Sequence, residues 1–162
     1  MQWYYYVIVG FFVLCGVLYL LNQLKSKTKL PYNLNKSIFN KSEAAFYSAL
    51  REAVGSRAFI APKIGMKDFL YVISGTPEYK AHFARMAQKH VDFLLFTPDT
   101  YRPLCAIEID GPSHNSKKVQ ERDAFVKRVY ESVDLPLFRF KAKTAYTVKE
   151  ISEALTPVIE SS

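Results

Sequence analysis

From Trp3 to Leu21 the chain reads WYYYVIVGFFVLCGVLYLL, nineteen residues without a charge, and no other stretch limits its folding so severely. In hydrocarbon a backbone must satisfy its own hydrogen bonds, so a lone run of this kind can only be a helix. At ~1.5 Å per residue it covers roughly 28 Å, close to the ~30 Å of a bilayer core. Trp3 and Tyr4 to Tyr6 suit an interfacial aromatic belt. A basic n-region and a small-residue cleavage site are both missing, which argues against a cleaved signal peptide. Lys25, Lys27, Lys29 and Lys36 follow, and the positive-inside rule puts that flank in the cytoplasm. The expected organisation is an anchor over 1–24, a basic juxtamembrane tether over 25–38 and a globular domain over 39–162.

All 22 Lys and Arg and all 15 Asp and Glu lie beyond Leu21, so the net charge of +7 belongs wholly to the remainder. Such a balance favours anionic partners, nucleic acid or a membrane surface. The two cysteines, Cys15 in the apolar run and Cys105 in an expected strand, form no plausible disulfide, in keeping with a reducing compartment. No Gly-rich phosphate loop, Cys/His zinc cluster or nucleophilic serine motif is present, which sets those chemistries aside.

Within the domain, Val91 to Phe96 and Leu104 to Ile109 are rich in β-branched and aromatic residues. Thr97-Pro-Asp-Thr-Tyr-Arg-Pro103 between them has loop chemistry, so the pair reads as a hairpin. Asp92 stands at its start and Glu108 at its end, positions that an antiparallel pair can bring side by side if the register allows. Glu108 and Asp110 share a face, with Cys105, Ile107 and Ile109 opposite. Converging carboxylates with a main-chain carbonyl suit Mg²⁺, which takes oxygen ligands and keeps several waters. Gly111-Pro112 turns the chain and presents His114 near the same rim, where it could deprotonate a water. Plainer accounts stand beside these: Asp92 as an edge charge, His114 as a surface turn residue. Glu108 and Asp110 are harder to dismiss, because buried carboxylates cost several kcal/mol, roughly, unless paired or metal-bound.

Asn40-Lys-Ser-Glu43 has the form of a capping box opening a helix that carries Phe46, Tyr47, Leu50 and Val54 on one face and stops at Gly55. Ala58 to Met66 reads as a first strand, with Pro62 pointing to an edge or an irregular start. Thr76-Pro77 predicts an N-cap and first turn, with Tyr79, Phe83 and Met86 at helical spacing. His82, Arg85 and Lys89 gather on an adjoining side, able to contact phosphates or simply to face water. A further helix over 115–133 turns Val119, Val126, Val129, Tyr130 and Val133 inward, with Arg122 and Asp123 beside that stripe. Leu135 to Phe140 reads as a short buried strand interrupted by Arg139, and Thr147 to Ile159 as a closing helix. The fold class is therefore α/β or α+β.

Asp92, Glu108-Ile-Asp110-Gly111, His114, Arg122-Asp123 and Leu135-Pro-Leu-Phe-Arg-Phe140 together resemble the DUF2726 family within the PD-(D/E)XK, restriction-endonuclease-like superfamily. They also resemble the very-short-patch-repair and DUF559 endonuclease-like proteins. Ala87-Gln-Lys-His-Val-Asp-Phe, Gly111-Pro-Ser-His-Asn-Ser-Lys-Lys and Gln120-Glu-Arg-Asp-Ala-Phe carry the likeness to DUF2726, which extends roughly from Phe39 to Pro157. The resemblance implies an αβββαβ core around a central mixed sheet. It implies metal ligands at Asp92 and Glu108, aided by the Ile109 carbonyl and Asp110, with Glu43 as an outer acid. It implies that Arg122 and Asp123 orient His114 or hold a phosphate. The superfamily usually sets a lysine two residues after the second acid. Asp110 stands there in this chain, leaving His114 or a lysine from another element, such as Lys63 or Lys89, in its place.

The expected activity is a Mg²⁺- or Mn²⁺-dependent endonuclease on the cytoplasmic face of an inner, single-pass membrane anchor. Catalysis would rest with Asp92, Glu108, Asp110, His114 and Glu43. Nucleic acid, DNA foremost, would be held by His82, Arg85, Lys89 and Arg122, with Asp123 in support. The competing expectation is a nuclease-like module that binds nucleic acid or a protein without cutting; a scaffold with purely structural acids is a third. Topology is directly testable. A fluorescent protein fused after Ser162 should be bright and an alkaline phosphatase fused there inactive; the reverse pattern would invert the orientation.

Overall fold

The structure, a computed structural model, describes residues 2–25, 30–111 and 117–161. The chain divides into two compact units, Met1–Lys36 and Ser37–Ser162. In the first, α1 (Trp3–Lys25) is a single helix, long and apolar enough to cross a membrane. From Trp3 to Asn22 all its side chains are exposed.

The second unit is a mixed α/β domain. Its elements run α2 (Lys41–Val54), β1 (Phe59–Gly65), a 3-10 turn at Met66–Asp68, α3 (Tyr79–Ala87), β2 (His90–Phe96), β3 (Pro103–Asp110), α4 (Lys117–Ser132), β4 (Leu137–Lys141) and α5 (Val148–Glu160). The four strands lie in sequence order across one sheet. β1 and β2 are antiparallel, β2 and β3 form the expected hairpin, and β4 runs parallel to β3, the crossover passing through α4. A parallel neighbour cannot be reached by a tight turn, so a helix on one face of the sheet is the natural link.

Side-chain alternation along the strands divides the interior into two cores. Phe93, Leu95, Cys105 and Ile107 pack with Phe46, Leu50 and Val54 of α2 and with Ile151 and Leu155 of α5. Leu94 and Ala106 pack instead with Met86 of α3 and with Val126 and Tyr130 of α4. The sheet is thus covered by helices on both faces, and its inner strands are apolar except where they end. Burial pushes the Cys105 thiol up to about 12, so it behaves here as a small apolar side chain.

Two local expectations need correction. Thr76 does not cap α3: its hydroxyl donates to the Ile73 carbonyl at 2.7 Å, closing a turn, and the helix starts only at Tyr79. The position before it, Glu78, is left-handed with φ 55° and makes no side-chain cap. Val133 does not face the core either. It follows the end of α4 and is 49% exposed, because the chain leaves the helix there to reach β4. The remainder of the predicted inward stripe on α4 is buried or half-buried at Val126, Val129 and Tyr130, while the Val119 side chain lies outside what is described.

The capping box is formed as expected. Asn40 Oδ1 accepts from the Glu43 N–H at 2.9 Å, and the Asn40 N–H donates back to Glu43 Oε2 at 3.1 Å. Asn40 Nδ2 adds a bond to Glu43 Oε1 at 2.7 Å. Replacing Asn40 by Ala leaves a helix N-H without its partner and should cost about 1–2 kcal/mol in denaturant unfolding. A loss near zero would show that the cap contributes nothing beyond what water supplies.

Candidate metal and phosphate site

The registers of the three strand pairs place four charged residues in one row across the sheet. Pro62 pairs with Phe93 and Ile64 with Val91, which sets Lys63 opposite Asp92. Phe93 pairs with Ile107, so one step further Asp92 stands opposite Glu108. Glu108 pairs with Arg139. The row reads cation, acid, acid, cation, and it lies where the β2–β3 ladder stops. Ile109 there donates its N–H to Asp92 Oδ2 at 2.9 Å, so a side-chain carboxylate serves as the acceptor.

Lys63 is held on both sides. Its ammonium donates to Asp92 Oδ1 at 2.6 Å and to Glu43 Oε1 at 2.9 Å. Its backbone sits in the left-handed region, φ 52°, in the middle of a strand. A non-glycine residue there is strained by ~1–3 kcal/mol and persists only where its surroundings over-determine it. The two carboxylates are that surrounding. Burial alone would lower the Lys63 pKa, but hydrogen bonds to Asp92 and Glu43 override it and raise the value, keeping the ammonium charged. Glu43 therefore has two duties: it closes the α2 cap and, 8% exposed, fixes one side of Lys63.

At the other end of the row, Arg139 reaches Glu108 Oε2 at 3.1 Å, Asp110 Oδ1 at 3.0 Å and Asp123 Oδ2 at 3.7 Å. Arg122 also holds Asp123, at 3.1 Å. Burial pushes the Glu108 carboxyl above its ordinary 4.5 against the pull of Arg139, and Asp92, Asp123 and Asp110 push the same way. Arg139, shared among three acids, thus leaves Glu108 short of positive charge. The pKa of the buried Tyr130 hydroxyl, which has no hydrogen-bond partner among the described residues, is raised by burial first and by Glu108 after it.

Lys63 and the acids line a pocket of about 400 Å³, which holds Glu43, Asp92, Glu108, Ile109, Asp110 and Asp123 of those expected from the sequence. Lys89 and Arg122 reach its wall as well, while Arg85 lines a neighbouring groove and His82 is exposed on α3 away from both. His114 lies outside the described residues. Among the described residues no three His, Cys, Asp or Glu side chains are grouped as a ready metal cage. What is assembled is a pair of carboxylates on adjacent strands, with Ile109 beside them in the pocket wall. Arg139, Gln88 and His90 were not singled out from sequence. Arg139 left one signal, a charge inside a short, otherwise apolar strand.

A family model described as "Protein of unknown function (DUF2726)" matches residues 35–158. No curated protein matches, and no solved structure does.

The Glu108 shift has a pH consequence. A carboxyl whose folded pKa exceeds its unfolded value binds its proton more tightly when folded. Its contribution to stability is therefore full below the ordinary 4.5 and is lost as pH rises through the folded value. Glu108→Gln removes that dependence while leaving an oxygen for Arg139. In thermal unfolding between about pH 4 and pH 8, the variant should gain on the wild type as pH rises. A difference in Tm that ignores pH would mean that Glu108 is fully compensated by Arg139.

Proposed function

The chain belongs to the DUF2726 family, and we propose that it is a divalent-metal-dependent nuclease of the restriction-endonuclease-like, PD-(D/E)XK kind. It cleaves nucleic-acid phosphodiesters on the cytoplasmic side of a membrane to which α1 anchors it. The observation that carries this reading is the Lys63 ammonium on Asp92, in the row that continues to Glu108. A lysine from the neighbouring strand stands beside the acid pair, although Asp110 occupies the position where the superfamily would have one.

The donor set fits Mg²⁺ or Mn²⁺. Two hard carboxylates, Asp92 and Glu108, with the Ile109 carbonyl would hold the ion and leave positions for water and a phosphate oxygen. Such an ion would supply Lewis acidity, lowering the pKa of a bound water and offsetting phosphate charge. The protein's own groups do the rest. Asp92 keeps a further lone pair on each oxygen beyond those used by Lys63 and Ile109. Lys63, fixed by Glu43, has a third N–H to donate to a phosphate oxygen or to the attacking water. Arg122 and Lys89 on the wall steady the flanking phosphate. His114 positions or deprotonates the water, with Asp123 and Asp110 arranging the charges around it. The attacking oxygen forms a bond to phosphorus as the P–O bond to the leaving sugar breaks.

Arg139 favours a second reading. It already engages both Glu108 and Asp110, so the pocket could serve a domain that binds nucleic acid and never cuts it.

Calorimetry with Mn²⁺ and a nicking assay on plasmid, linear duplex, single strands and RNA decide between the two. Asp92→Ala and Glu108→Ala should weaken metal binding and abolish cleavage. Lys63→Met should spare metal binding and slow cleavage by about 10²–10³-fold, the usual effect of removing one transition-state donor. His114→Ala should slow it by roughly 10²–10⁴-fold. Metal binding indifferent to both acid substitutions would overturn the site, and metal binding without cleavage of any substrate would establish the non-catalytic module.

A further inference from the structure

Beside the acid pocket, α3 and α4 wall a second groove of about 420 Å³, and the two share Gln88, Lys89 and Arg122. The cations Arg85, Lys89 and Arg122 line it against a single acid, Glu121. Its one aromatic side chain among the described residues is Phe125, and Arg85 lies over that ring with its guanidinium carbon 4.5 Å from the centroid. Arg85 is exposed, while Phe125 is half-buried and packed against the core.

We infer that this groove binds one strand of single-stranded nucleic acid, DNA or RNA, and leads it to the acid pocket. The inference rests on the proposed function for what happens in the pocket; binding in the groove does not require cleavage.

Charge accounts for the affinity. Phosphates following the groove meet Arg85, then Lys89 and Arg122, and the last two also line the pocket, so successive phosphates pass from one cavity to the other without leaving positive surface. Stacking accounts for the preference. A guanidinium plane backed by an aromatic ring is a platform for any base with a free π-face, and a duplex keeps its bases stacked on one another. Depth points the same way. The side chains of Asp92 and Glu108 are each only 19% exposed, so a backbone must enter the cleft to reach them. A flexible single strand can enter; the rigid surface of a duplex meets the rim. The cations of the groove meet phosphates, which carry no sequence information, so the binding is tolerant of sequence.

The test uses the full chain in detergent micelles with EDTA, so that cleavage plays no part. Fluorescein-labelled oligo-dT and oligo-U of fifteen nucleotides are compared by anisotropy with a duplex of the same length and with phosphatidylglycerol vesicles. Single strands should bind at least about tenfold more tightly than duplex, with affinity falling steeply as salt rises. Arg85→Gln, a surface change, should weaken single-strand binding about tenfold and leave duplex binding little altered. Phe125→Leu, which keeps the core filled, should weaken it while leaving the salt slope unchanged; Lys149→Ala, remote on α5, should do nothing. Equal or tighter duplex binding, indifference to Arg85→Gln, or binding to the vesicles alone would each overturn the inference. Single-strand binding by a chain that cuts nothing would remove the catalytic reading and leave this one standing.

Discussion

Two carboxylates side by side on the inner strands of a sheet repel each other and lose hydration together, and the domain is arranged around relieving that cost. Asp92 and Glu108 take this place, and each outer strand answers with a cation, Lys63 from β1 and Arg139 from β4. Either acid alone would be a large destabilisation at such depth; either cation alone would leave one acid unrelieved. The solution fixes much else. Glu43 at the start of α2 holds Lys63, so the helix cap and the sheet row are one hydrogen-bonded assembly. Asp123 on α4 meets Arg139, so the crossover helix is tied to the same row.

The relief is incomplete, and that is what makes the pocket chemically suggestive. Arg139 divides itself among Glu108, Asp110 and Asp123, and Glu108 still sits above its ordinary pKa. A structural ion-pair network gains from balance. Here the acids outnumber what their partners neutralise, an imbalance that perturbs Glu108.

Much of this was legible in the sequence because it depends on local pattern. The uncharged run that forms α1, the capping box at Asn40, the β2–β3 hairpin and the acids at its open end follow from side-chain period, turn chemistry and capping geometry. The order of elements in the domain followed too. What escaped depends on contacts between distant segments. Lys63 reads as one of two lysines, with Lys89, able to stand in for the missing one, and only antiparallel pairing sets it opposite Asp92; Arg139 reads as an interruption until parallel pairing sets it beside Glu108. The start of α3 escaped for another reason. Thr76 has two uses for one hydroxyl, and a turn onto Ile73 won over a helix cap.

Pro62 and Lys63, neighbours on the outermost strand, carry a consequence apart from chemistry. An open sheet edge is a template on which another chain can add a strand, and it invites aggregation unless something breaks its regularity. Pro62 has no N–H to offer such a strand, and Lys63, turned into the left-handed region, interrupts the pleat immediately after it. The backbone turn that aims an ammonium inward therefore also blunts the border of the sheet.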